Sequence, residues 1–171
     1  MRQILRQREL EADPWRYPGE AGVGPRVLAW AELLAMSSEG LAKDPLLGVR
    51  LGPTDEVERL APFVAQLSLI VVHFEQNGDG RGFTQGQMLR QRYHYAAQLR
   101  ASGAIGRDHL FLLARCGFDA FEFDPAEDPH AALRHLDQFS VAYQSAAGTL
   151  VQPRQRPTGG LPQCKQTIRR A

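Results

Sequence analysis

Cysteine is scarce, for only Cys116 and Cys164 occur in 171 residues. Two cysteines build neither a disulfide framework nor the four ligands of a structural zinc site, and they fit a reducing compartment. Long apolar runs are missing too. The most apolar stretch, Leu67 to Val72, is far too short to span a bilayer, and the amino terminus carries charges where a secretory leader needs an apolar segment. A cytoplasmic protein without membrane contact is expected. Neither GxGxxG nor GxxxxGK[ST] occurs, so the usual signatures of dinucleotide and P-loop sites are absent, and the five histidines fall into no metal spacing such as HExxH. No metal site is expected.

What is present is ordinary globular composition, 43% hydrophobic and 23% charged, with a formal net charge of +1. The balance hides an asymmetry. Residues 151–171 hold Arg154, Arg156, Lys165, Arg169 and Arg170 without one acid. This Pro/Gly/Gln-rich basic end reads as a solvated tail over 148–171, and no nucleic-acid partner is expected. Residues 1–25, with Pro14, Pro18 and Pro25 among charges and glycines, read as a loosely packed arm. A single α/β domain is expected over 26–147.

Within it, Val27 to Trp30 suits a short strand leading into a helix near Ala31 to Ala35, although the same residues also suit one amphipathic helix. Leu47 to Leu51 reads as a strand, followed by a helix entered at Thr54 or Asp55 with Val57, Leu60, Ala61 and Val64 at helical spacing. Leu69 to Val72 predicts a strand buried on both faces. Thr84 and Gln87 have the spacing of a capping box opening a helix that reaches about Arg100. Ala104-Ile105 is a strand-like scrap, Asp108 to Arg115 a helix stopped by Gly117, Phe118 to Phe123 a strand, and Pro129 opens a last helix. Alternating strands and helices imply a small, mainly parallel sheet, with half of a β/α barrel as the alternative.

In such folds ligands gather beyond the carboxyl ends of the strands. The loop Asn77 to Gly82 there is unusual. Asp79, Gly80, Arg81 and Gly82 precede a helix amino terminus, where free amides and Arg81 suit a small oxyanion; the competing reading is a tight turn in which Asp79 caps amides and Arg81 is solvated. From Gly80 to Arg107 there are five arginines and no acid. On the expected helix Arg92 shares the stripe of Met88, Tyr95 and Leu99 while Arg90 points away, so Arg92 calls for a carboxylate from Asp79 or Asp108, unless its head lies in water. Arg107 and Asp108 complete the candidate anion- or partner-binding set. Cys116, at a helix end of the wrong polarity for a thiolate, is a structural thiol first and a redox group second. His73, ending the buried strand, is the histidine to test, and Glu122 with Asp124 reads as turn carboxylates.

The segments DGRGFTQGQMLRQRY (79–93), QLRASGAIGRDHLFLLARCGFDAFEF (98–123) and FSVAYQ (139–144) resemble a bacterial family described as an oxidoreductase of sulfite reduction, over about Arg26 to Ser145. Two features depart from its pattern: His109 stands where glutamine is usual, and Ala104-Ile105-Gly106 varies. The resemblance implies an accessory component of assimilatory sulfite reduction that binds a small oxyanion or docks to sulfite reductase through its arginine-rich segment. It assigns no catalytic residue. Six-electron reduction needs flavin, iron–sulfur or sirohaem centres, and two cysteines cannot ligate a cluster, so a complete reductase is not expected. The alternatives are a non-catalytic structural adaptor, or an enzyme whose organic cofactor is held by a loop without a known signature; the cofactor itself stays unassigned.

Overall fold

The computed structural model describes residues 2–6, 8–36 and 46–122. The expected helix after Pro129, Asp124 and the basic tail lie outside them. The elements run β1 (Gln3–Arg6), β2 (Glu9–Ala12), β3 (Arg26–Ala29), α1 (Trp30–Ala35), β4 (Leu47–Leu51), β5 (Leu69–Phe74), α2 (Gly80–Gln91), β6 (Gln98–Gly103), α3 (Leu110–Arg115) and β7 (Ala120–Glu122). They form one seven-stranded sheet in the order β2-β1-β7-β6-β5-β4-β3, parallel from β3 to β7 and antiparallel where β1 joins β7 and β2. This is the expected mainly parallel α/β sheet. Its five parallel strands follow one another in chain order, as in a segment of a β/α barrel. Serial order has a consequence. Right-handed crossovers between successive neighbours all pass over the same side of a sheet, so the helices gather on one face.

That face carries the main core. Leu28, Val49, Leu51, Ile70, Val72, Leu99, Ala101 and Phe121 from the strands pack there with Leu33, Leu60, Leu89, Leu110 and Leu113. On the opposite face Val27, Leu69 and Val71 meet Trp15 and, partly, Tyr17. β5 is therefore apolar on both sides, which is why its run lacks alternation. Farther along this second face the sheet turns polar. Register aligns Arg50 with Val71 and Val71 with Arg100, while His73 aligns with Ser102. No helix among the described residues is long and apolar enough to cross a membrane.

Four expectations change. Residues 1–25 are not a loose arm, because β1 and β2 extend the sheet and Ile4, Leu5 and Trp15 are buried. The helix expected from Thr54 resolves into two 3-10 turns, Val57–Leu60 and Val64–Gln66, on either side of Pro62, which has no N–H to continue an α-helical ladder. The next helix, α2, starts at Gly80 with Asp79 as its cap, not at Thr84, whose hydroxyl instead donates to the Gly80 carbonyl 3.3 Å away. It stops at Gln91, well short of Arg100. Tyr95 N donates to Leu89 O at 3.0 Å with His94 at a φ of 50°, which closes the helix by a left-handed turn. The strand-like scrap at Ala104 is accordingly misplaced, and β6 occupies Gln98–Gly103.

Arg90, expected to point away, is the inward arginine of α2. It donates to the carbonyls of Gly117 (2.9 Å), Ala97 (2.8 Å) and Tyr95 and to Asp119 (2.9 Å), holding the turn after α2 against the end of α3. Arg92 lies at the helix end, largely in water, with Glu58 at 3.8 Å rather than Asp79 or Asp108.

α2 sits close to the sheet because two of its residues have no side chain. A Cβ on Gly82 would stand 2.5 Å from the Phe74 ring, and one on Gly86 would stand 2.4 Å from the Phe118 ring, whereas Gly80 faces open space. Gly82→Ala and Gly86→Ala are each expected to cost about 1–3 kcal/mol in urea unfolding, as overpacking does. Gly80→Ala should leave stability unchanged or raise it by up to about 1 kcal/mol. Equal tolerance at all three positions would contradict this packing.

Candidate functional site

The loop after β5 reaches α2 through Asp79, whose Oδ1 accepts the Arg81 amide at 3.1 Å. The same carboxylate receives the Arg81 guanidinium side-on, Nη2 to Oδ2 at 2.7 Å and Nε to Oδ1 at 3.0 Å. Pairing with Arg81 lowers the Asp79 acid further from its ordinary value, aided by the amide bond. The Asp79 carboxylate thus takes both the backbone amide and the guanidinium of Arg81. Gly80 is exposed, and Gly82 is spent on the Phe74 contact.

The following loop adds Arg107 and Asp108, both exposed, in the 3-10 turn Arg107–His109. Because β5 and β6 are parallel neighbours, this turn lies beside the Asp79 turn. Phe83 of α2 meets the His109 ring edge-to-face at 6.0 Å, joining the two. Six of the candidate residues, Asp79, Gly80, Arg81, Gly82, Arg107 and Asp108, thus share one ledge at the carboxyl end of the sheet. Arg92 and Cys116 do not. Arg92 is at the far end of α2, roughly 18 Å along its axis from Gly80. Cys116 ends α3, buried beside Gln87 with Nε2 to Sγ at 3.5 Å, and burial pushes its thiol up.

A second polar assembly, centred on an arginine that sequence reasoning counted but did not single out, occupies the sheet face away from the helices. Arg100 on β6 and the Asp13 carboxylate have no exposed side-chain surface and meet at 2.9 Å. Asp13 also accepts Arg2 Nη1 at 3.1 Å and the Trp15 amide at 3.2 Å. Tyr17 donates to Glu122 Oε2 at 2.8 Å and lies 3.3 Å from Arg100 Nη1. Arg2 closes the ring, with Nε 3.2 Å from Glu122 and its guanidinium 4.2 Å above the Tyr17 ring centre. Burial pushes the Tyr17 hydroxyl well up against the opposing pull of Arg100, so it stays protonated and can donate. Glu122, expected as a turn carboxylate, is a member of this assembly.

At the carboxyl end of the same face His73 Nδ1 stands 3.3 Å from Ser102 Oγ. Gly103, at a φ of 90°, makes room for the imidazole, since a Cβ there would lie 2.5 Å from His73 Cε1. Burial, and then the charge of Arg50, hold the His73 imidazolium below its ordinary value of 6.5. The sign follows directly. A depressed histidine is neutral in the folded chain but protonates in the unfolded chain, so the unfolded state binds more protons below about 6.5 and stability falls as pH drops through that window. The unfolding midpoint should decline less steeply between about pH 6.5 and 5 in His73→Asn than in the wild type; parallel profiles would contradict the assignment.

The structure is a singly wound α/β sheet whose strand ends bear neighbouring polar turns and whose second face carries a buried ion pair. The family model for bacterial proteins of unknown function, DUF934, matches residues 48–153. The chain belongs to that family. No curated protein matches the sequence.

Proposed function

We propose that this chain is a cytoplasmic accessory protein of assimilatory sulfite reduction that docks on sulfite reductase through the turns Asp79–Gly82 and Arg107–Asp108. One observation carries the reading: two motif segments far apart in the chain come together as one exposed ledge, linked by the Phe83–His109 contact. The likeness of DGRG and of the Arg107-Asp108 pair to the sulfite-reduction family supplies the partner. Docking is favoured over anion capture at this ledge because Asp79 already takes the α2 amide and the Arg81 guanidinium. A turn fixed in this way meets a partner without first being ordered, which lowers the entropic cost of association.

The arginine-rich segment contributes less than its count implies. Arg90 and Arg100 turn inward and Arg92 lies at the other end of α2, so of the five arginines only Arg81 and Arg107 lie on the ledge, beside Asp79 and Asp108. The test is sedimentation of the purified chain with purified sulfite reductase. A complex is expected, and the charge-reversed double variant Arg81→Glu/Arg107→Glu should weaken it about tenfold or more while the chain stays folded. Absence of a complex, or a double variant that binds as the wild type does, would sink the proposal.

A further inference from the structure

Arg100 lies at the centre of β6 with no exposed surface, yet its guanidinium is only partly partnered. Nη1 faces Asp13 Oδ2 at 2.9 Å and Tyr17 Oη at 3.3 Å. Nε and Nη2, which together form the side-on fork of the group, are buried without a hydrogen-bond partner among the described residues. Buried N–H groups are satisfied in nearly every native protein, and those of a charged group are the most costly to leave unpaired. The arrangement calls for an acceptor. The carboxylates at hand are engaged elsewhere: Asp13 with Arg2, Arg100 Nη1 and the Trp15 amide, Glu122 with Tyr17 and Arg2.

The surroundings indicate the charge of the missing group. Gln98, two residues earlier on the same face of β6, holds a second buried donor, Nε2, without a partner. Arg50 stands on the other flank of Val71, roughly 10 Å away between Cα atoms across two strand spacings. Two donor groups on this face of β6 thus lack acceptors among the described residues, and a planar fork is matched best by two oxygens on one central atom. Complete burial restricts the ligand to a few heavy atoms.

We infer that the Nε–Nη2 fork of Arg100 binds a small oxyanion of the sulfite, nitrate or bicarbonate class, enclosed between β6 and the Asp13–Tyr17 segment. This site is separate from the docking ledge and does not depend on it.

The experiment titrates the full chain with sodium sulfite, sodium nitrate and sodium bicarbonate in turn, holding ionic strength constant with sodium chloride. It follows the unfolding midpoint together with the 1H–15Nε spectrum of the arginines. At least one oxyanion is expected to give a saturable rise beyond chloride and to shift one slowly exchanging Nε–H resonance. Arg100→Lys keeps a positive charge facing Asp13 but removes the fork, and should weaken the apparent affinity about tenfold or more. Arg81→Glu/Arg107→Glu should bind the anion as the wild type does, which separates failure here from failure of the docking reading. If Arg100→Lys does not fold, the wild-type Nε spectrum decides. The inference is overturned if none of the three anions differs from chloride, if no protected Nε–H responds, or if a folded Arg100→Lys retains wild-type affinity.

Discussion

The ion pair between Arg100 and Asp13 is the constraint on which the second face of this sheet depends. Both side chains are fully buried, and they join residues 87 positions apart, the middle of β6 and the segment just after β2. Leaving either charge alone in that position would cost about 3–5 kcal/mol, so the pair commits the amino-terminal segment to lie across the sheet. Arg2 and Tyr17 follow from it, Arg2 on Asp13 and Tyr17 on Arg100, and Glu122 in turn accepts from Tyr17 and pairs with Arg2. The β1–β2 hairpin then fits against β7, with Leu5 aligned to Phe121 inside the main core.

Topology explains why polar chemistry can gather there at all. Because β3 to β7 are wound in chain order, the apolar stripes of the helices and 3-10 turns are spent on one face. Among the described residues no helix packs on the other face, which carries Arg50, His73, Arg100 and Ser102 among Leu69 and Val71. The price is that each charge must find its own partner from a loop or from the amino-terminal hairpin. Arg100 does so on one edge of its guanidinium only.

Much of this fold could be read along the chain. β3, β4, β5, α1 and β7 are marked by β-rich or helical runs with clear punctuation, and the parallel arrangement follows from their spacing. What was not legible has physical causes. β1 and β2 are four residues each and mix charges with few apolar positions, so they gain their order from pairing with β7 and not from local preference. The left-handed turn ending α2 uses His94, where glycine would have announced it, and the sequence pattern therefore reads as one longer helix. That overrun exchanged the roles of Arg90 and Arg92, since the register of a helical stripe means nothing past the helix end. The ledge at Asp79 and Arg107 was legible because strand ends and glycine turns have a signature. The Arg100 assembly was not, because its carboxylate comes from a segment that reads as a loose arm.

The most direct measurement is a double-mutant cycle in urea unfolding with Arg100→Gln, Asp13→Asn and the two combined. If the buried pair organises the polar face, the single variants are each strongly destabilised and the double variant recovers part of the loss, with a coupling of about 1–3 kcal/mol. Additive costs, with no coupling between the two positions, would contradict the account.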